Sequence, residues 1–280
     1  MKKSINQWAF PKTQVLEKSL EVAKDSGFSA IEVCFGEDEW ITQDTKLSDV
    51  EILRKKIESH HLKISSLASG LFWKYALTSD SLKVSQKASD IIRSMLKAGS
   101  ILGVDTILVI PGWVSVPWVP DAEIVDYKTA HKRASESLKV LSSDAEKEKV
   151  CIGIENVWNR MLLSPLEMAE FIDKIGSPYV GAYFDIGNVV YSGHPQHWID
   201  ILGHRIKKVH FKDYKNSIGT LDGFVPLLYG DVNWKEVMKA LRGVGYDSYC
   251  VAEFFPKPEF AECLIKQVSM AMDKILEVEK

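Results

Sequence analysis

The strongest constraint on the fold is a regular alternation of short apolar runs with longer amphipathic segments. Eight short runs are rich in β-branched and aromatic residues, which is typical of strands; they span residues 4–10, 30–35, 62–69, 105–112, 149–156, 179–185, 207–213 and 248–255. These runs recur about every 35 residues, the length of a strand with the helix that follows it. Such an alternation predicts an α/β fold with a parallel sheet.

The segments between these runs carry helical periodicity. Leu16, Leu20 and Ala23 lie on one helix face, and Gly27 is expected to end that helix. Comparable patterns predict helices over residues 84–102, from Ser164-Pro165 onward, and over 194–202, 234–241 and 259–276. Eight units in 280 residues favour one closed (β/α)8 TIM barrel over residues 1–280, rather than an open doubly wound sheet.

Charge and hydropathy limit the class of partner. The chain has 35 Lys and Arg against 38 Asp and Glu, a net charge of −3. A net-negative chain has no general attraction for nucleic acid or anionic lipid, so a small-molecule partner is favoured. No apolar run approaches the roughly 20 residues that cross a bilayer. No apolar segment follows the two N-terminal lysines as in a signal peptide, and we expect a cytoplasmic protein.

Four polar residues mark the ends of four consecutive predicted strands, where a barrel of this type places its active site. Glu155 ends CIGI, Asp185 ends VGAYF, His210 lies in KKVHF and Glu253 follows CVA. Three carboxylates that converge on one barrel mouth repel one another unless a cation neutralises them. This oxygen-rich set predicts a site for Mn²⁺, Mg²⁺ or Co²⁺ rather than a structural zinc site.

Five segments resemble the sugar phosphate isomerase/epimerase family of the xylose isomerase-like barrel superfamily. They are GIENVWN (153–159), YFDIGNVVYSGHPQHWI (183–199), KKVHFKDY (207–214), GDVNW (230–234) and VAEFF (251–255). The runs at 27–35 and 97–112 also fit, so the resemblance spans nearly the whole chain. It implies a metal-dependent isomerase acting on a sugar or sugar phosphate, with a homodimer or homotetramer both open.

The resemblance also implies roles for the four strand-end residues. In ketose 3-epimerases of this superfamily the matching residues bind one divalent metal, usually Mn²⁺, and the two glutamates are the acid/base pair. Those roles fall on Glu155, Asp185, His210 and Glu253, with Glu155 and Glu253 as the catalytic pair and a metal-stabilised cis-enediolate as the intermediate. Mn²⁺ is favoured, and Co²⁺, Mg²⁺ and Zn²⁺ stay open. Epimerisation beside a ketone does need two such groups, one on each side of the substrate.

The same residues are compatible with other functions. An aldose–ketose isomerase or an inosose dehydratase would use the same metal and bases. A metal-dependent phosphodiesterase similar to apurinic (AP) endonucleases is less favoured, because Asn188 stands where several relatives have a histidine. As a separate departure from the family pattern, Tyr229 precedes Gly230 where a glutamate is expected, so any role of that glutamate is unfilled. A non-catalytic sugar-binding barrel would not need both Glu155 and Glu253.

Several further residues are candidates for substrate contact. Trp8 and Trp113 end or follow predicted strands and could form an aromatic wall against a sugar. For Glu32, inside a strand, substrate contact and a structural hydrogen bond are both open. Lys212 is predicted to share a face with His210. The remaining candidates are Asn188 and Arg160, and residues 213–232 are a candidate lid.

Overall fold

The computed structural model describes residues 1–119 and 121–278, and eight parallel strands within them close into a barrel. The barrel strands are β1 (Lys2–Asn6), β2 (Ala30–Cys34), β3 (Lys63–Ala68), β4 (Thr106–Val109), β5 (Cys151–Glu155), β6 (Val180–Asp185), β7 (Ile206–Phe211) and β10 (Tyr249–Ala252). They follow one another around the barrel in chain order, and β10 closes it by pairing with β1. The predicted (β/α)8 TIM barrel is confirmed.

A helix follows each barrel strand, as the alternation predicts. The helices are α1 (Leu16–Asp25), α2 (Leu47–Ser59), α3 (Leu82–Leu102), α4 (Tyr127–Glu148), α5 (Pro165–Ile175), α6 (Pro195–Leu202), α7 (Trp234–Gly243) and α8 (Ala261–Glu277). The periodicity set no bounds for α2 and α4. Ser164 caps α5 by accepting a hydrogen bond from the Glu167 amide, and Gly27 follows α1 with a φ of 85°, so both predicted signals are confirmed.

All eight barrel strands are shorter than their apolar runs, and at β1 and β7 the difference shapes the barrel mouth. The Asn6 side chain accepts from the Trp8 amide and starts a 3₁₀ helix, so Trp8 leaves strand β1 and enters the loop. Strand β7 stops at Phe211, and Asp213 belongs to a small antiparallel ribbon, β8 (Asp213–Tyr214) with β9 (Phe224–Val225). This ribbon lies inside the segment proposed as a lid.

The barrel interior contains polar residues as well as apolar ones. Ser4 on β1 lies 2.8 Å from Ser65 on β3, and Glu32 on β2 contacts His210 on β7. These strand pairs are not neighbours in the sheet, so the contacts cross the lumen. Within the described ranges no helix is both long and apolar enough to span a bilayer.

Candidate active site

Four metal-ligand side chains meet at one end of the barrel. Each of Glu155, Asp185, His210 and Glu253 offers one ligand atom, and these atoms all lie within 4.8 Å of one another. The register explains the convergence, because His210 pairs with Asp185 on one side and with Val251 on the other. All four residues are buried, so the carboxylates face one another with little water to screen them.

The His210 ring is held in one orientation by its two nitrogens. Nδ1 faces the cluster and lies 3.2 Å from Glu155 Oε1 and 3.6 Å from Glu253 Oε2. Nε2 lies 2.9 Å from Glu32 Oε2 on the opposite side. A carboxylate on the far ring nitrogen fixes the tautomer and raises the basicity of a ligating imidazole. Nδ1 is therefore the nitrogen that the structure presents to a metal.

Glu32 is itself held by a ring of donors in the lumen. Asn6 Nδ2 donates to Oε2 at 2.5 Å, Ser66 Oγ donates to Oε1 at 2.7 Å, and the Tyr183 hydroxyl also donates to Oε1. Burial opposes ionisation, but the His210 imidazolium and these donors outweigh it, so the pKa of Glu32 is lowered. Substrate contact and a structural hydrogen bond were both open for Glu32, and its contacts are structural hydrogen bonds within the lumen.

Asp185 carries the observation that bears most directly on a metal. Its Oδ1 accepts from the Asn188 amide at 2.8 Å, and Asn156 bonds both its main-chain amide and its carbonyl. Its buried Oδ2 has no hydrogen-bond partner among the residues that the structure describes. Burial, together with Glu253 and Glu155, raises the pKa of Asp185 to about 7 despite the nearby Lys212.

The two candidate catalytic glutamates differ in their environments. Burial raises the pKa of Glu155, and the His210 hydrogen bond reduces that effect without reversing it. Burial also acts on Glu253, but the Lys212 ammonium, 2.7 Å from Oε2, and His210 outweigh it, so the pKa of Glu253 is lowered. Neighbouring carboxyls whose pKa values move apart are suited to opposite acid and base roles.

The donor set fits a divalent cation. An unpartnered buried carboxylate oxygen is costly, and a cation beside Asp185 Oδ2 would remove that cost. Three carboxylates and one imidazole are ligands for Mn²⁺, Mg²⁺, Co²⁺ or Zn²⁺. Lys212 Nζ lies 3.7 Å from Asp185 Oδ2. It therefore offsets part of the negative charge of the cluster but does not hydrogen-bond this oxygen.

A cavity of about 740 Å³ opens above the cluster. Glu155 and Glu253 line it together with the candidate residues Trp8, Asn188 and Lys212. Asn188 donates from Nδ2 to the Asn156 carbonyl at 2.9 Å, and this bond does not use its side-chain oxygen. The segment proposed as a lid also lines this cavity, through Leu221, Asp222 and residues 224–226.

Two other candidates lie away from the cavity lining. Trp113 is buried in a separate apolar cluster with Ala76 and Val116, and its amide and carbonyl both bond Thr78. Arg160 is exposed in the loop after β5. Neither side chain is among those that line the cavity, so substrate contact by these two residues stays a prediction.

Sequence reasoning missed residues that support the site. Asn156, directly after β5, bonds Asp185, and Tyr183 on β6 bonds Glu32. The Asp213 carboxylate accepts from the amides of Leu228 and Val232, and so holds the loop beside the cavity. A side chain at Gly230 would place its Cβ 2.0 Å from Asp213 Oδ1, so only glycine fits there. For Asn156, the available signal in the sequence was that a polar residue occupies the position directly after Glu155.

The chain belongs to the family described as the xylose isomerase-like TIM barrel, whose model matches residues 20–271. An uncharacterized protein from Methanocaldococcus jannaschii is 25% identical over 206 residues, which cover 71% of this chain and 68% of that protein. The resemblance drawn from the strand-end motifs is thereby confirmed at the level of the family.

Solved structures share the fold over almost the full chain. A D-psicose 3-epimerase from Clostridium cellulolyticum H10, determined with D-tagatose, superposes with a TM-score of 0.82 at 16% identity and covers 99% of both chains. The IolI protein, determined with a bound zinc atom, superposes with a TM-score of 0.77 at 20% identity, covering 99% of this chain and 98% of its own. At these identities the likeness shows that the chain shares the barrel fold of these proteins.

Proposed function

We propose that the protein is a divalent-metal-dependent sugar epimerase that inverts the carbon next to a ketone, with ketose 3-epimerisation as the reaction. One observation carries this proposal. Glu155 and Glu253 come from strands β5 and β10, with β6 and β7 between them, and both line the cavity floor beside Asp185 and His210. The same two glutamates therefore adjoin both the cation site and the space for a substrate.

Glu155, Asp185, His210 and Glu253 would hold the metal, His210 through Nδ1. When bound, a divalent cation draws electron density from a ketone oxygen and offsets the charge that develops there. The oxygen-rich ligand set favours Mn²⁺. The zinc atom in the IolI structure keeps Zn²⁺ as the alternative to be tested.

The two glutamates divide the proton transfers. Lys212 favours ionised Glu253, which is suited to remove the proton from the carbon next to the ketone. Glu155, separated from Glu253 by strands β6 and β7, is suited to return a proton on the opposite face. The return reaction exchanges these roles. Asn188 is positioned to accept a hydrogen bond from a substrate hydroxyl, and the apolar walls limit access of water.

A screen of ketoses and ketose phosphates tests this function. The protein is freed of metal with chelator, loaded with Mn²⁺, and the products are identified by NMR. We expect a C3 epimer from at least one ketose, no product in chelator, and far slower product formation by Glu253→Gln. Glu170→Gln, an exposed helix residue paired with Lys174, is the matched control and should retain activity.

The same screen separates the other functions. An aldose product would indicate an aldose–ketose isomerase, and a product lighter by one water would indicate a dehydratase. Cleavage of an abasic-site duplex, with all sugars unchanged, would indicate a phosphodiesterase. Any of these results in place of a C3 epimer would contradict the proposed reaction.

A further inference from the structure

The cavity above the metal-ligand cluster is mostly apolar. Its walls contain four tryptophans, Trp8, Trp73, Trp118 and Trp158, and three phenylalanines. They come from loops after β1, β3, β4, β5, β7 and β10, so they surround most of the barrel mouth. A volume of about 740 Å³ lies within the roughly 300–1,000 Å³ of pockets for drug-sized ligands. A hexose, with about a dozen non-hydrogen atoms, is smaller than such ligands.

Two of the tryptophan rings are held in place by hydrogen bonds and ring contacts. The Trp8 indole N–H donates to Glu39 at 3.1 Å, and its ring stacks on Phe255 with centroids 6.0 Å apart. The Trp158 indole N–H donates to the Asn188 carbonyl at 2.7 Å. With these polar N–H groups already bonded, Trp8 and Trp158 present apolar ring surface to a ligand.

Polar groups are confined to a few positions in the lining. Ser69 Oγ already donates to the Phe35 carbonyl and accepts from the Leu71 amide. The other polar, non-aromatic side chains in the described part of the wall are Lys212, Asn188, Asp222 and the two cluster glutamates. A free sugar carries hydroxyls on nearly every carbon, and this wall offers few partners for them.

The charges in the lining are unfavourable for a phosphate. Among the described lining residues the one cation is Lys212, whose Nζ already lies 2.7 Å from Glu253. Glu155, Glu253 and Asp222 add three carboxylates to the same wall. A phosphate group is normally held by arginine, lysine or free backbone amides, and among the described lining residues no arginine or second lysine is present to hold one.

We infer that the substrate is a ketose or keto-sugar unit bearing an uncharged, mainly apolar substituent at least as large as a phenyl ring. This inference rests on the proposed function for the sugar end, which lies at Glu155 and Glu253. The apolar end lies among the aromatic residues of the wall. A free ketose would fill only the floor of the cavity, and a sugar phosphate would meet its carboxylates.

Three ligands with one ketose unit test the inference: D-fructose, D-fructose 6-phosphate and 6-O-benzyl-D-fructose. Affinities for the Mn²⁺-loaded protein are measured by calorimetry and by quenching of tryptophan fluorescence. Burial of a phenyl ring predicts about tenfold to hundredfold tighter binding of the benzyl derivative than of D-fructose. The phosphate is expected to bind no more tightly than D-fructose. Equal affinities for all three ligands, or tightest binding of the phosphate, would overturn the inference.

Two exposed phenylalanines form a matched pair of variants. Phe255 lines the cavity, whereas Phe260 is similarly exposed and lies outside its lining. We expect Phe255→Ala to weaken binding of the benzyl derivative about fivefold or more. Its affinity for D-fructose should change less than twofold, and Phe260→Ala should change neither affinity. An equal loss for both ligands in Phe255→Ala would contradict an apolar subsite. Proton exchange at the sugar is followed separately by NMR, so tight benzyl binding without exchange would refute the proposed reaction and retain the subsite.

Discussion

The buried His210 Nε2 lies 2.9 Å from Glu32 Oε2, across the barrel lumen from strand β7 to strand β2. This contact fixes the ring so that Nδ1 faces the three carboxylates of the metal-ligand cluster. Glu32 is in turn held by Asn6, Ser66 and Tyr183. Glu32, on a strand that carries no metal ligand, therefore orients the one imidazole of the cluster.

Glu32→Gln tests this orienting role. The variant keeps the size of the side chain but removes the charge that supports the His210 ring. We expect a loss of Mn²⁺ affinity of about 10- to 100-fold, the usual effect of losing such an outer partner. Glu39→Gln is the control, because Glu39 bonds Gln7 and Trp8 and makes no contact with His210 in the described structure. Calorimetric titration of both variants gives the result, and an unchanged affinity in Glu32→Gln would refute the role.

Lys212→Met tests whether the buried ammonium compensates the carboxylates. Its removal leaves Glu253 and Asp185 without their nearest cation, and loss of one partner of a buried pair costs on the order of 3 kcal/mol. We expect the metal-free variant to unfold at a lower temperature and to gain more from added Mn²⁺ than the wild type.

Lys215→Met is the matched control, because Lys215 pairs with Asp231 at the surface. Such pairs contribute about 0–1 kcal/mol, so its melting temperature should barely change. Melting temperatures of both variants and the wild type are compared in chelator and in Mn²⁺. A metal-free Lys212→Met protein as stable as the wild type would show that the ammonium does not compensate the cluster.

Metal affinity should depend on pH in a defined direction. Burial and the neighbouring carboxylates raise the pKa of Asp185 to about 7. Burial opposes the charged form of His210, but Glu32 and Glu155 outweigh it and raise the pKa of His210 well above its usual value. Both groups must lose a proton to bind a metal, so affinity should rise as the pH is raised from 6 to 8. Titration in buffers of different ionisation enthalpy should reveal proton release. Affinity independent of pH, without proton release, would contradict these protonation states.

Substitution of the two glutamates should abolish most turnover. Glu155→Gln and Glu253→Gln each remove one acid/base group, worth roughly 10²- to 10⁴-fold, and also weaken the metal site. The double variant should be only slightly less active than either single variant, because both groups serve one sequence of proton transfers. Circular dichroism checks that the fold is kept. A single variant with near wild-type turnover on the true substrate would remove that residue from the mechanism.

The sequence was most informative where chemistry and periodicity coincide. Apolar runs that end in Glu155, Asp185 or Glu253 indicated both the strands and the positions of the polar residues at the barrel mouth. The register then brought these residues together with His210. Parallel strands in chain order allow few other arrangements, which is why the cluster could be anticipated.

Contacts between distant strands and the courses of loops could not be read from the sequence. The hydrogen bond between Glu32 and His210 joins residues 178 positions apart through the lumen. Trp8 and Trp113 looked equivalent, since each lies at or just beyond an apolar run. The Asn6 cap places Trp8 at the cavity, whereas Thr78 holds Trp113 in a separate cluster. Such outcomes depend on side-chain bonds to loop backbone, which carry no periodic signal.

The most direct test of the proposed reaction is deuterium incorporation during turnover in D₂O. The Mn²⁺-loaded protein is incubated with a ketose that it converts, and the position of the label is read by NMR. Proton removal by one of Glu155 and Glu253, followed by proton return from the other, predicts a C3 epimer with deuterium at C3. Label at C1 or C2, or an epimer formed with no solvent label at C3, would contradict proton transfer through two opposed glutamates.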